Sequence, residues 1–312
     1  MLRYTFLMLM TLFHATILGQ TGVYTEEMEL KNGAIALPGT LSLPNTDLPV
    51  PLAILVHGSG NVDRNGNQGP MVQGNYLKML SDALNAAGIA CYRYDKRTAH
   101  LPNAPQLKGT LLKDFVADVQ VAIKHFMEDG RFNGIHLVGH SQGSLVGMLA
   151  VNEQLRSFTS VAGSARPIGE IITEQVTKQD STLGRVTAAH VKELKETDTL
   201  LKVSPYLMNL FAPQNQHFLR NWMAYDPKEV IANLKVPVLL VHGEEDLQVT
   251  PGEAKALQNA LPAAKLVLVP KMNHVLKSIE NMEDNLKSYR DSNFELSNDL
   301  VKALSAFIKT HE

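Results

Sequence analysis

Short apolar runs alternate with longer segments of helical periodicity along most of the chain. The apolar runs predict buried strands, and the segments between them have apolar positions at the spacing of an amphipathic helix. The predicted strands are residues 52–56, 89–94, 135–138, 158–162, 238–241 and 265–269. The predicted helices are residues 76–87, 111–127, 144–154, 252–260 and about 297–308. Strands that alternate with helices are typical of an α/β fold in which helices cover both faces of a parallel sheet.

Two regions depart from this alternation. Residues 24–30 and 34–43 predict two strands joined at Asn32-Gly33, a hairpin signal that indicates antiparallel strands at one edge of the sheet. Residues from about 168 to 226 are polar and helix-prone, and they contain Trp222, the only tryptophan. We expect this segment to be a cap over the carboxyl edge of the sheet, where open α/β sheets bind their ligands.

The composition is that of a globular protein. Apolar residues make up 45% and charged residues 19% of 312 residues, and the net charge is −2, so a nucleic-acid partner is not expected. The length fits one large domain with a well-buried core or two small ones. Cys91 is the only cysteine, which excludes an internal disulfide, and its apolar neighbours indicate a packed hydrophobe. No zinc-binding spacing is found in the sequence.

The amino-terminal residues have the layout of a secretory signal. Arg3 is followed by the mostly apolar residues 6–13 and 15–19, with small residues at the end. We predict a signal peptide over residues 1–19, cleaved near Gly19-Gln20, and a secreted or periplasmic mature domain over residues 20–312 without stable membrane insertion. The alternative is an apolar amino-terminal helix of the fold.

The strongest chemical signal is the pentapeptide 139–143, Gly-His-Ser-Gln-Gly. It follows the predicted strand 135–138 and precedes a helix, and in that context Gly-x-Ser-x-Gly is the pattern of a nucleophile elbow. Ser141 would lie exposed at the tip of the turn as the nucleophile. The helix amino terminus would offer the backbone N–H of Gln142 to a developing oxyanion. The alternative is a plain glycine-rich turn capped by a serine.

A serine hydroxyl needs a base, and the expected order along the chain is Ser, then Asp, then His. Asp246 follows the predicted strand 238–241, and His274 follows the strand 265–269. Both would therefore lie at the carboxyl edge of the sheet with Ser141. We predict that His274 is the general base and that Asp246 orients it. Glu244 or Glu245 could replace Asp246 as the acid.

The loop after the strand 52–56 is expected to complete an oxyanion hole. It reads His57-Gly58-Ser59-Gly60, and its glycines would allow the backbone to approach a substrate closely. We predict the N–H of Ser59 as the second oxyanion donor. Asp63 and Arg64 follow in the same loop, as an ion pair or as a solvated turn. His57 and His242 also follow strands, and we interpret both as polar residues that close those strands.

These motifs, together with Tyr94-Asp95-Lys96-Arg97 and Asn273-His274, resemble those of the bacterial α/β-hydrolase carboxylesterases, which are related to serine aminopeptidase-like hydrolases. The resemblance covers about residues 24–310. It implies a sheet of about eight strands, a cap after the sixth strand and hydrolysis of short-chain acyl esters. Members of this subgroup often have Glu directly after the nucleophile, where this chain has Gln142.

We therefore predict a serine hydrolase that cleaves small-molecule carboxylic esters through an acyl-enzyme, with no metal or organic cofactor. A serine peptidase of the same fold is one alternative, and a ligand-binding homologue without catalysis is another. A peptidase would need carboxylates for a free amino terminus, and the predicted cap offers candidates that could equally be solvated helix faces. They are Glu170, Glu174, Glu193, Glu196 and Asp198. Four apolar residues could line an acyl pocket or form the core of the cap: Phe211, Phe218, Trp222 and Met223.

Overall fold

A single eight-stranded sheet organises the protein, in a computed structural model that describes residues 23–312. The strand order is β1-β2-β4-β3-β5-β6-β7-β8, with parallel pairing from β4 to β8. The strands are β1 Tyr24–Asn32, β2 Ile35–Leu43, β3 Val50–Val56, β4 Ala90–Tyr94, β5 Phe132–His140, β6 Ser157–Val161, β7 Val238–Gly243 and β8 Lys265–Val269. The predicted α/β fold with about eight strands is confirmed. The predicted signal peptide lies outside the described residues.

The first two strands form the predicted antiparallel edge. β1 pairs with β2 from Tyr24 opposite Leu43 to Asn32 opposite Ile35, and β2 pairs antiparallel with β4. Gly33 takes a φ of 59° in the turn between β1 and β2. That left-handed conformation is accessible to glycine at no steric cost, which explains why Asn-Gly marks this hairpin.

Helices cover both faces of the sheet. They are α1 Tyr76–Ala86, α2 Leu112–Met127, α3 Gln142–Ala150, α4 Ile168–Gln179, α5 Ser181–Thr197, α6 Met208–Phe211, α7 Pro213–Met223, α8 Pro227–Ile231, α9 Pro251–Ala260 and α10 Asn298–Thr310. On one face, buried side chains of α2, α3, α8 and α9 form a hydrophobic cluster with alternate residues of β3. On the other face, buried side chains of α1 and α10 form a second cluster with the intervening residues of β3. Such alternation is what a strand buried on both faces requires.

The region predicted as a cap is helical. Helices α4 to α7, called here the helical insertion (residues 168–223), lie between β6 and β7 and have a hydrophobic cluster of their own. This cluster includes Ile172, Leu194, Phe211 and Met223. The insertion therefore follows the sixth strand, as the resemblance implied.

One helix boundary differs clearly from its prediction. The sequence predicts a helix over residues 144–154, whereas α3 begins at Gln142 and ends at Ala150. Val151 has an extended conformation with ψ 134°, and the Asn152 side chain accepts from the N–H of Gln154 at 3.0 Å. This side-chain turn competes with helical hydrogen bonding and directs the chain into β6.

No helix within residues 23–312 is both long and apolar enough to cross a membrane.

Candidate active site

The turn between β5 and α3 holds Ser141 in a strained conformation. Its φ of 55° and ψ of −119° are rare for a residue with a side chain. Both flanking glycines are sterically required, because a Cβ on Gly139 would lie 2.2 Å from the carbonyl oxygen of Gly143, and a Cβ on Gly143 would lie 2.2 Å from that of Val56. The tight packing of β5, α3 and β3 thus exposes the hydroxyl of Ser141 at the carboxyl edge of the sheet.

The predicted base and acid lie in line with this hydroxyl. His274 Nε2 is 3.1 Å from Ser141 Oγ, and His274 Nδ1 is 2.7 Å from Asp246 Oδ2. Both distances fall within hydrogen-bonding range. The three side chains come from the ends of three different strands, and the structure brings them together. Asp246, and not Glu244 or Glu245, contacts the imidazole.

The other oxygen of Asp246 is held by the backbone. Its Oδ1 accepts hydrogen bonds from the N–H groups of Gln248 and Val249 at 2.8 and 2.9 Å. Burial raises the pKa of this carboxyl, but the neighbouring His274, His242 and the backbone hydrogen bond outweigh burial, and the net pKa is lowered. Asp246 is therefore an anion with a fixed orientation, which is what the partner of a histidine base requires.

His140 holds the backbone of His274. Its Nε2 lies 2.8 Å from the carbonyl oxygen of His274, and its Nδ1 lies 3.3 Å from the hydroxyl of Tyr76. Burial lowers the pKa of His140 to about 3, so this ring is neutral near pH 7 and donates one N–H to that carbonyl. The sequence analysis did not identify this role, although the position of His140 beside the nucleophile was a usable signal.

The two predicted oxyanion donors border the same space as Ser141. Ser59 and Gln142 both line the cleft that Ser141 opens into. Within residues 23–312, neither backbone N–H donates to a protein acceptor, so both are available to a ligand. Gly58 lies close behind them, since a Cβ at this position would be 3.2 Å from Ser141 Cβ.

Asp63 and Arg64 do not form an ion pair with each other, so this alternative of the prediction is wrong. Arg64 instead forms two hydrogen bonds with the carboxylate of Asp95, at 3.0 and 2.8 Å, and one with Glu27 at 2.5 Å. Asp63 accepts from the backbone N–H groups of Asn65 and Asn67, both at 2.8 Å. The side chains of Asp63 and Arg64 point apart because the Arg64 guanidinium reaches the end of β4. There it forms a bidentate pair with the Asp95 carboxylate.

The histidines set aside as strand-closing residues are buried and bonded to carbonyls. His57 Nε2 is 2.5 Å from the Tyr94 oxygen, and His242 Nε2 is 2.8 Å from the Val249 oxygen. Burial lowers the pKa of His57 to about 4. In the chain from 23 onwards, no cluster of three or more His, Cys, Asp and Glu side chains could hold a metal ion.

Two spaces of very different size adjoin Ser141. The larger is a cleft of about 410 Å³ beneath the helical insertion, lined by apolar residues such as Leu145, Ile171 and Trp222. It shares residues with a neighbouring cleft of about 370 Å³. The smaller, of about 70 Å³, lies beside His274 and is bordered by the side chains of Gln68 and Tyr289. The site can therefore hold an apolar group on one side and a small group on the other.

The apolar residues predicted to line an acyl pocket or to form the core of the cap divide between these two roles. Phe218 and Trp222 line both large clefts, whereas Phe211 and Met223 are buried in the insertion's own cluster. The acidic candidates Glu170, Glu174, Glu193, Glu196 and Asp198 line none of the described spaces that adjoin Ser141. Glu174 pairs instead with Arg166 and Lys178, and Asp198 pairs with Arg220.

Comparison with known proteins finds relatives that are similar to this chain in sequence. The chain is 28% identical over 251 residues to esterase EstD of Thermotoga maritima, which covers 78% of this chain and 59% of that protein. The chain thus spans about three fifths of the length of the curated relatives it matches.

Solved structures share the fold at low sequence identity. Est1E of Butyrivibrio proteoclasticus has a TM-score of 0.58 at 18% identity, over 91% of this chain and 98% of its own. An acylaminoacyl peptidase of Pyrococcus horikoshii has a TM-score of 0.59 at 14% identity, over 93% of this chain and 42% of its own. Est1E and an acylaminoacyl peptidase therefore share this fold.

The family model described as "Serine aminopeptidase, S33" matches residues 72–278, which is more than half of the chain. The matched region contains Ser141, Asp246 and His274, together with strands β4 to β8 of the sheet. The chain belongs to this family of α/β hydrolases.

Proposed function

We propose that the protein is a carboxylesterase that hydrolyses short-chain acyl esters with Ser141 as the nucleophile. The observation that carries this proposal is the continuous contact from Ser141 Oγ through the imidazole of His274 to the carboxylate of Asp246. The similarity to an esterase of Thermotoga maritima supports it. So do the N–H groups of Ser59 and Gln142 beside the nucleophile, which donate to no protein acceptor within residues 23–312.

Acylation begins with the attack of Ser141 Oγ on the ester carbonyl carbon. His274 Nε2 takes the hydroxyl proton as the C–O bond forms, and Asp246 stabilises the resulting imidazolium. The carbonyl oxygen becomes an anion, which accepts hydrogen bonds from the N–H groups of Ser59 and Gln142. When the tetrahedral intermediate collapses, the ester C–O bond breaks and His274 returns the proton to the leaving alcohol.

Deacylation repeats these steps with water. A water molecule attacks the acyl carbon, His274 accepts its proton, and the bond to Ser141 Oγ breaks as the proton returns to that oxygen. The products are the carboxylic acid and the free enzyme.

The two unequal spaces suggest how the substrate is oriented. The acyl chain lies in the larger cleft beneath the helical insertion, where Leu145, Ile171 and Trp222 offer apolar contact. The leaving alcohol lies beside His274, which must protonate it. The small space there favours compact alcohols.

Peptidase activity is the second candidate, because the family model is described as a serine aminopeptidase. An aminopeptidase needs negative charge near Ser141 to bind a free amino terminus. The described residues that line the spaces next to Ser141 are apolar or polar without a carboxylate, and they include Gln68, Gln175 and Gln248. This lining favours neutral esters over peptides with a charged amino terminus.

Hydrolysis of p-nitrophenyl acetate, butyrate and octanoate tests the proposal, with an aminoacyl-nitroanilide assayed beside them. We expect the wild type to cleave the esters, and Ser141→Ala to lose about three or more orders of magnitude in kcat/KM. Ser181→Ala, an exposed serine of the insertion, is the matched control and should behave as wild type. A folded wild type that cleaves only the nitroanilide, or a Ser141→Ala variant as active as wild type, would contradict the proposal.

A further inference from the structure

A buried lysine lies directly behind the two oxyanion donors. Lys96 follows β4 and is only 4% exposed. Its Nζ donates to the carbonyl oxygen of Gly58 at 2.7 Å and to Oε1 of Gln142 at 2.6 Å. Within residues 23–312 it forms no ion pair, because Asp118, the acid whose charge acts on it, is engaged by Arg97 at 2.6 Å. Burying an ammonium group without a carboxylate partner costs free energy, and this chain nevertheless has a lysine at this position.

The hydrogen bond to Gly58 fixes the direction of an oxyanion donor. The C=O of Gly58 and the N–H of Ser59 belong to one planar trans peptide unit, so they point in opposite directions. Holding the carbonyl towards Lys96 therefore turns the N–H of Ser59 away from it. The backbone N–H of Lys96 also donates to the Val62 oxygen at 3.1 Å, so the oxyanion loop is tied to the end of β4 at two points.

The hydrogen bond to Gln142 reaches the other donor residue. Gln142 contributes its backbone N–H to the site and its side-chain oxygen to Lys96. One ammonium group thus contacts the Gln142 side chain and the peptide unit that carries the N–H of Ser59. It also polarises the Gly58–Ser59 peptide, which makes the N–H a stronger donor in a low-dielectric environment.

The surroundings of Lys96 leave its charge sensitive to pH. Burial lowers the pKa of Lys96 to about 7, although the Asp118 carboxylate on α2 acts in the opposite direction. His57 after β3 faces the same small space, with Tyr94 and the ring of Phe115. The Phe115 centroid is 4.5 Å from Nζ. Because His57 is neutral near pH 7, Asp118 and its partner Arg97 are the fixed charges next to the ammonium.

We propose that Lys96 is a positioning residue for ester hydrolysis: its hydrogen bond to the Gly58 oxygen orients the N–H of Ser59, its hydrogen bond to Oε1 holds the Gln142 side chain, and its charge lies behind the oxyanion. This inference rests on the proposed esterase function. It also gives a physical meaning to Gln142, because a carboxylate at this position would neutralise the lysine, whereas the neutral amide leaves its charge uncompensated.

Two variants test the proposal, each assayed for kcat and KM from pH 5 to pH 10. Lys96→Met removes both hydrogen bonds and the charge. We expect kcat to fall about 10- to 100-fold with little change in KM, because the donors act on charge that develops only in the transition state. Circular dichroism and thermal unfolding establish that the variant is folded.

Gln142→Glu tests the charge while leaving the backbone donor in place. In the wild type we expect kcat to fall as pH rises above about 7, because Lys96 then loses its proton. A carboxylate next to Lys96 raises the pKa of the lysine, so this alkaline fall should move about 1 to 3 units higher. Gln154→Glu adds the same charge on the surface beyond α3 and should leave the profile unchanged.

The rate at which a fluorophosphonate labels Ser141 is measured in parallel, because it also depends on the nucleophile and the oxyanion donors but not on the natural ester. A wild type that is labelled but cleaves no ester would contradict the esterase function alone, and the labelling rates would then decide the role of Lys96. An unshifted alkaline fall in Gln142→Glu would overturn the inference, as would a folded Lys96→Met variant with kcat within about twofold of wild type.

Discussion

The carboxyl edge of the sheet and the helical insertion face each other across Ser141 but are built differently. At the sheet edge, Ser141, Asp246 and His274 are each held by a strand end and by backbone contacts, and a single Cβ at Gly143 would collide with β3. The insertion has a separate small core and leaves large apolar side chains such as Leu201 and Tyr206 exposed. Several contacts fix each residue at the sheet edge, whereas fewer contacts fix the side chains of the insertion.

Under the proposed function, this difference separates the residues that carry out catalysis from those that select the substrate. Proton transfer needs atoms held at hydrogen-bond distance, which rigid strand ends provide. An apolar acyl group needs only contact of suitable shape, which residues such as Phe218 and Trp222 can supply on helices. We therefore expect changes at the sheet edge to reduce kcat for all esters alike, and changes in the insertion to alter the preference among esters.

Asp246→Asn should give the largest effect in this comparison. The amide keeps the shape of the carboxyl but cannot stabilise an imidazolium, and it favours the wrong tautomer of His274. We expect kcat to fall about 10³-fold for acetate, butyrate and octanoate esters alike. Glu244→Gln and Glu245→Gln are matched controls, and both should stay within about twofold of wild type. If one of these controls lost activity instead, a neighbouring glutamate would be the acid.

Trp222→Ala should give a smaller and selective effect. The indole lines both large clefts and lies against Phe218, with 5.9 Å between ring centroids. Its loss removes apolar contact from a long acyl chain, and burial of each methylene contributes about 1 kcal/mol to the binding free energy. We expect the ratio of kcat/KM for octanoate over acetate to fall about 5- to 10-fold, with acetate nearly unchanged.

The matched control for the indole is Tyr206→Ala, an aromatic residue of the same region that is 83% exposed. It should leave the ratio of octanoate to acetate activity as in wild type. Equal losses on both esters in Trp222→Ala would mean that the indole supports the sheet edge and not the acyl chain.

Most of the sheet could be predicted from the sequence because buried parallel strands appear as continuous apolar runs. The residues proposed for catalysis could be located because Ser141, Asp246 and His274 each follow such a run, and carboxyl ends of parallel strands meet at one edge. The individual helices of the insertion could not be predicted, because their sequences are largely polar and their core is formed by residues from several short segments.

The hydrogen-bond and ion-pair partners of side chains were predicted less well than the positions of residues in the fold. The pairing of Arg64 with Asp95 rather than Asp63 depends on how β4 lies beside the oxyanion loop, which no local pattern records. The same is true of Lys96, whose partners Gly58 and Gln142 are 38 and 46 residues away. Its position directly after a buried strand was the available signal, since that edge also carries Ser141.

The most direct test of the central claim is identification of the residue that carries the acyl group. The protein is treated with a p-nitrophenyl ester or a fluorophosphonate, quenched in acid and analysed by peptide mass spectrometry. We predict a single adduct on Ser141, formed in proportion to the loss of activity and absent from Ser141→Ala. An adduct on another residue, or hydrolysis that continues without any adduct, would contradict the serine mechanism.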